Sequence, residues 1–385
     1  MADVPAPSTP VSSWRCCWCR AQAGTIVLDL GDQPAADDFP AANAPTPDRT
    51  FGLRMVMCAA CHLAQIEDDP TSAQEPRGVE PEALVRQGLD AVGHLADAGI
   101  ARPGGRVLEF ASPHGGSWLG PLAERGLHPV GGGPADLVVD SFGMMHDADQ
   151  RAALAARAAC LAEGGALALH YHSLATILRT GAWNALRHGH VAYYSTPALV
   201  AMARELGLVA VAAREYPLYG GTVMLVLAAA GASGAREHPD VTALVAKEIA
   251  DGVTDPRRVA TLGSDLLESV AAIRAYLRGV SRAGLTVAGY GAASRTAALL
   301  QCAGVGRQDL SAVADASSAK QGRMLPVSRV PIVGPTELVA LRPDRVLLFV
   351  PDLLPEVRAA LPEIEASGGR WVVLDPMPRE VQPVT

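Results

Sequence analysis

The chain has 385 residues, 49% of them apolar, 19% charged and 4% aromatic, and its net charge is −8. That composition supports two or three packed domains and excludes a disordered chain. The negative balance and the scarcity of aromatics disfavour a nucleic-acid or anionic-membrane binder, while leaving room for a local basic pocket. Only Lys247 and Lys320 are lysines; the remaining basic residues are arginines.

No apolar run approaches the ~20 residues that a membrane-spanning helix needs. The best, Val223 to Ala230, has the length of a strand. Met1 to Pro10 is rich in Pro, Ala and Ser and lacks the apolar stretch of a secretory signal. The expectation is a cytoplasmic protein, with neither membrane nor nucleic acid as partner. In such a compartment paired cysteines bind metal more often than they form disulfides.

Cys16-Cys17-Trp18-Cys19 and Cys58-Ala59-Ala60-Cys61 are two Cys-x-x-Cys knuckles with 38 residues between them. Four thiolates from two such knuckles close a tetrahedral zinc site with no open position, so the metal is structural. Cys16, Cys19, Cys58 and Cys61 are the expected ligands, with Cys17 as a substitute. Cys160 and Cys302 lie in apolar surroundings and read as buried fillers. Asp69 to Pro81 reads as a linker.

The second segment, Glu82 to Gly231, alternates strands and helices. Arg106 to Phe110 is a strand running into the glycine-bearing loop Ser112 to Gly116. Leu137 to Val139 and Ala166 to His170 are further strands. Gln150 to Leu161 is a helix ended by Glu163-Gly164-Gly165, and Thr196 to Leu206 is one opened by Thr196-Pro197. Val209 to Arg214 and Thr222 to Ala228 are the last strands. The third segment opens with a helix over about Arg257 to Val280, whose apolar residues recur every three or four positions. Strands at Leu285 to Gly289, Leu310 to Ala314, Arg345 to Val350 and Arg370 to Leu374 follow, with helices between them. The fold class is α/β: two Rossmann-like doubly wound units behind a small zinc-binding domain. The boundaries are 1–75, 76–235 and 236–385.

Three places carry chemistry. Gly289-Tyr290-Gly291-Ala292-Ala293-Ser294 lies between a strand and a helix and nearly matches G-x-G-x-x-G, a turn that faces backbone N–H groups to a pyrophosphate. Asp315 ends the next strand, where it could hold a ribose. Lys320-Gln321-Gly322-Arg323 places two cations around a glycine, a pattern suited to phosphate or carboxylate, or equally to a solvated turn. The third place is a His-rich run: His146, His170, His172, His188 and His190. An imidazole with a pKa near 6.5 is a usable base, and buried structural histidines are the competing reading. From the Gly291 loop alone, a dinucleotide oxidoreductase is a weaker alternative.

The two knuckles, the run Leu28-Asp29-Leu30-Gly31-Asp32-Gln33-Pro34 between them, and the stretch from Tyr290-Gly291-Ala292-Ala293 to Lys320-Gln321-Gly322-Arg323 resemble the sugar C-methyltransferases of deoxysugar and natural-product biosynthesis. The resemblance covers nearly the whole chain. It implies a zinc-binding domain, an S-adenosylmethionine (SAM) domain and a C-terminal Rossmann-like domain that binds a nucleotide sugar. The implied reaction is methyl transfer to C3 of a TDP-linked 4-keto-6-deoxyhexose. Gly291, Ala292, Ser294, Lys320, Arg323 and Tyr194 would bind that substrate. Arg187-His188-Gly189-His190 occupies the place of the family's Tyr-His-Glu-His run, keeping both histidines and losing the Tyr and the Glu. Tyr219-Gly220-Gly221-Thr222 stands where the family has His-Gly-Gly-Ser. His188, His190 and Tyr219 are thus the catalytic candidates.

The SAM loop departs further. Glu109 and Gly115 match the family's Glu-x-Gly-x-x-x-Gly, but Ala111 replaces the first Gly, Pro113 removes an N–H donor, and His114 replaces an acidic position. Gly133 stands where a ribose-binding acid would be. Only Pro134 then separates it from Ala135-Asp136-Leu137-Val138. The expectation is therefore that SAM binds weakly or not at all. That leaves three readings: a working C-methyltransferase, a SAM-independent deprotonase or epimerase on the same sugar, and a non-catalytic homologue.

Overall fold

The structure is a computed structural model and describes residues 14–71, 80–111, 116–232 and 234–383. Three sheets organise it. The first pairs Gly24–Pro34 with Thr50–Cys58 antiparallel, then Ala64–Ile66, and is completed by Ala192–Tyr193 from the middle segment. Alternation along the second strand decides what each face touches. Leu53, Met55 and Met57 enter a core shared with the C-terminal unit, whereas Val56 and Cys58 enter one shared with the middle unit. The zinc-binding segment is thus wedged between the other two rather than appended to them.

The middle sheet runs in the order His128–Pro129, Arg106–Phe110, Ala135–Ser141, Leu161–His172, Thr222–Ala229, Leu208–Tyr216. Its first four strands are parallel, and Thr222–Ala229 runs antiparallel to both of its neighbours. The helix expected to reach Leu161 ends at Ala159. Glu163-Gly164-Gly165, expected to end it, lies inside the long strand instead. A Cβ on Gly165 would sit 2.9 Å from the Ala135 carbonyl oxygen, so this glycine permits a close backbone approach at a register shift.

The third sheet runs Ile332–Val333, Val313–Ala314, Val287–Tyr290, Arg345–Leu348, Arg370–Asp375, Met377–Glu380, with only the last strand antiparallel. Val287–Tyr290 is first in sequence and has later strands on both sides. Its carboxyl end is therefore the topological switch point, where open α/β sheets bind ligands. Helices Glu82–Asp97 and Pro239–Ala250, not foreseen from the sequence, flank the middle sheet. No helix among the described residues is long and apolar enough to cross a membrane.

His170 is a structural residue of the middle sheet. Its Nε2 lies 2.9 Å from Gln87 Nε2 and 3.0 Å from Thr222 Oγ1. Burial pushes its pKa down to about 3. In acid the unfolded chain then binds a proton that the folded chain refuses. Stability is full above the unfolded value near 6.5 and falls as pH drops toward 3. Urea unfolding of the native chain should lose about 1 kcal/mol between pH 6 and pH 5 through this group, and His170→Gln should flatten that slope.

Candidate functional site

The metal site is built from two matching turns. In each knuckle the residue after the second cysteine has a positive φ (Arg20 at 64°, His62 at 58°) and returns its N–H to the carbonyl of the first cysteine at 3.1 Å. The N–H two residues after each first cysteine lies 3.4 Å from that cysteine's sulfur. Cys16, Cys19, Cys58 and Cys61 bring their sulfurs within 4.8 Å of one another, with Cys16–Cys61 and Cys19–Cys58 at 3.5 Å. These separations are far beyond an S–S bond and close to the ~3.8 Å edge of a tetrahedron with Zn–S of about 2.3 Å. The four residues fit zinc. Cys17 stands outside the cluster, its backbone N–H bound to Gln65 Oε1 at 2.8 Å. Cys160 and Cys302 are half-buried rather than buried fillers.

A second site lies between the middle and C-terminal units, a cavity of about 270 Å³. The middle unit contributes His172, Arg187, His190, Tyr193 and Tyr219 to its wall; the C-terminal unit contributes Tyr290, Gly291, Ser294, Arg295, Asp315, Lys320, Asp352 and Glu356. Gly291, at φ +96° with a would-be Cβ 2.9 Å from Val350, turns the chain from the switch-point strand into the helix Ser294–Ala303. Lys320 is 5% exposed; its Nζ donates to the Ala292 carbonyl at 3.1 Å, lies 3.9 Å from Asp315 and faces the Phe39 ring. It therefore braces the glycine loop and lines the cavity at once. Ala292 is buried beneath the loop and contributes that carbonyl.

Asp352 reaches across to the turn Leu218–Gly220. Burial pushes its carboxyl up, while Arg295 and the backbone N–H groups of Gly220 and Tyr219 favour the charged form. Tyr219 is held in the left-handed region, at φ 57° and ψ 34°, a strain of about 1–3 kcal/mol that the neighbouring contacts support. Burial pushes Tyr290 up to about 12 and raises Tyr193 further, so both phenols stay protonated donors at neutral pH.

The expected residues divide. His190, Tyr219, Gly291, Ser294 and Lys320 meet at the cavity. His188 does not: its Nδ1 lies 3.2 Å from the Pro34 carbonyl, its ring meets Phe51 edge-on, and its Nε2 has no hydrogen-bond partner among the described residues. Tyr194 is fully buried, its hydroxyl donating to Gln150. Arg323 clasps the Phe39 carbonyl at 3.0 Å instead of lining the cavity. Glu109 accepts from Ser117 Oγ and from the Trp118 N–H at 2.6 Å. Gly115, Pro113 and His114 lie outside the described residues. Asp69, expected in a linker, is built into the site's support: it accepts the Gly189 N–H at 2.6 Å. Arg295 and Asp352 were not anticipated; each sits at the start of a helical turn after a strand of the third sheet, which is the signal that marks them.

The model of a "C-methyltransferase C-terminal domain" matches residues 217–378, and that of a "Putative zinc binding domain" matches residues 16–74. C-methyltransferase NovU of Streptomyces niveus is 31% identical over 249 residues, which are 65% of this chain. The chain spans 59% of that relative's length. An O-methyltransferase family protein from Burkholderia thailandensis aligns at 17% identity with a TM-score of 0.30, over 38% of this chain and 57% of that one. Magnesium protoporphyrin IX methyltransferase from Synechocystis PCC 6803, solved with bound SAH, aligns at 9% identity and 0.29, over 38% and 84%. The two matched domains and this relative support the C-methyltransferase family, with a zinc-binding amino-terminal domain that holds the cysteine cluster.

Proposed function

We propose that the protein acts on a nucleotide diphosphate-linked 4-keto-6-deoxyhexose, TDP-linked by its resemblance, as a sugar C-methyltransferase with a weak hold on SAM. The observation that carries this reading is the cavity, whose walls offer imidazoles and phenols on one side and a switch-point glycine loop with Lys320 on the other. A diphosphate suits the loop, the helix start at Ser294 and the cations Lys320 and Arg295. The sugar ring would then lie toward His190, His172 and Tyr219. There the C4 ketone acidifies the C3 proton, and fixed binding of the diphosphate holds the ring for its removal.

The middle unit fits SAM poorly. Ala111 stands where a glycine would admit the methionine moiety. Glu109 is engaged by Ser117 and Trp118. Only Val130 to Pro134 separates the strand His128–Pro129 from the next in sequence, Ala135–Ser141. Each lost charged or bidentate contact costs roughly 1.5–3 kcal/mol, so two of them weaken SAM by about two to four decades. The same misfit favours a second reading, SAM-independent exchange or epimerisation at C3; a homologue without catalysis is the third.

One experiment separates them. The TDP-4-keto-6-deoxyhexose is incubated in D₂O with and without SAM and followed by NMR and mass spectrometry. Deuterium at C3 and a methylated product at high SAM are the expected results. Exchange without methylation at any SAM concentration supports the second reading. No exchange above the buffer rate removes both enzymatic readings. A micromolar SAM Kd by calorimetry would overturn the weak-SAM part.

A further inference from the structure

Arg187 occupies the position at which the resembled family carries a tyrosine. Arg187 is 6% exposed and its guanidinium is turned onto His190: Nε and Nη2 lie 2.9 and 2.5 Å from His190 Nε2. On its other side Nη1 meets Asp37 of the zinc-binding segment at 3.3 Å, across 150 residues of sequence. Its backbone N–H is held by the Tyr193 hydroxyl at 3.0 Å. A guanidinium has only donors and is always charged. Both contacts therefore require a lone pair on His190 Nε2, which leaves the proton of the neutral ring on Nδ1.

We propose that Arg187, charge-balanced by Asp37, is a positioning residue that holds His190 as the neutral Nδ1–H tautomer, so that this imidazole serves the cavity as a hydrogen-bond donor rather than as the base. The proposal deepens the ketosugar reading and, for its catalytic consequence, rests on it. In enolisation the C3–H bond breaks, its electron pair becomes the C3=C4 double bond, and the C4 oxygen takes up the negative charge. A fixed N–H donor stabilises that oxygen. The departing proton goes to the other cavity imidazole, His172, which stacks on His190 with centroids 6.1 Å apart, and from there exchanges with solvent.

The test has a readout that needs no turnover. Long-range ¹H–¹⁵N correlation spectra of the full-length zinc-loaded protein, labelled on histidine, report the tautomer of each neutral ring. His190 should appear as Nδ1–H in the native chain, move to a mixture or to Nε2–H in Arg187→Ala, and return toward Nδ1–H in Arg187→Lys, which restores one donor. Asp37→Asn serves as a second variant that keeps the side-chain shape and should loosen the same tautomer. In D₂O with the TDP-ketosugar, Arg187→Ala should lower the maximal C3-exchange rate by about 10²-fold while KM changes less than threefold, with partial recovery in Arg187→Lys. A native His190 already in the Nε2–H form, or a tautomer unmoved by Arg187→Ala, overturns the proposal. If the native chain exchanges nothing while the tautomer shifts as stated, the ketosugar reading fails and the positioning role stands.

Discussion

Cys61→Ser is expected to strip the protein of zinc and to lower its stability by roughly 4 kcal/mol or more, the range that loss of a metal site reaches. The reason lies in what the cluster holds. Cys16 and Cys58 are fully buried, and Cys58 ends the long strand Thr50–Cys58. Trp18, also fully buried, sits in the turn between Cys16 and Cys19 and packs into the core of the middle unit with Val56 and Leu63. Releasing one sulfur frees both knuckles and exposes that core. At about 2–4 °C per kcal/mol, Tm should fall by about 8 °C or more. Elemental analysis and thermal unfolding of the variant, beside a Cys17→Ser control that keeps its zinc, check this. Purified native protein without stoichiometric zinc, or an unchanged Tm in strong chelator, would overturn it.

The zinc ligands were legible in the sequence because a knuckle is a local object: four residues and one positive-φ turn define it. Four of the six strands of the third sheet were legible for a related reason, its edge strands Ile332–Val333 and Met377–Glu380 being too short or too polar to show. Those four are short apolar runs between helical stretches, so the switch-point loop could be located from Gly289 to Ser294 before any fold was known. The first sheet was not legible as a whole, since Ala192–Tyr193, the strand that completes it, is two residues long and carries no pattern of its own. The Arg187–Asp37 pair was equally hidden, because contacts between elements 150 residues apart leave no trace in spacing.

The pairing of His188 with His190 has a more specific cause. Both are catalytic candidates through the family's Tyr-His-Glu-His run, and residues two apart would share a face in an extended strand. Gly189 breaks the alternation with φ +86°. One ring turns to the cavity and the other into the seam beneath Pro34 and Phe51. The Asp69 carboxylate, accepting the Gly189 N–H, fixes that turn.

That divergence sets the second large prediction. His190→Ala should reduce C3 exchange of the TDP-ketosugar by about 10²–10³-fold, the loss seen when a donor to a developing oxyanion is removed. Stability should fall by about 1–3 kcal/mol, since Arg187 keeps Asp37 but its buried Nε and Nη2 lose their acceptor. His188→Ala should spare the exchange. It removes a fully buried ring together with its hydrogen bond to the Pro34 carbonyl, at a cost of about 2–3 kcal/mol, and leaves the residual activity of the folded fraction within a few-fold of native. Measuring urea unfolding and exchange rate on the same preparations separates the two effects. The orphaned Nε2 of His188 sharpens the comparison. Because that nitrogen has no partner among the described residues, His188→Phe, which keeps the ring and deletes the unsatisfied atom, should unfold at higher urea than His188→Ala. Equal loss of exchange in His188→Ala and His190→Ala, at equal stability, would mean that both rings reach the substrate and that the division of the two histidines is wrong.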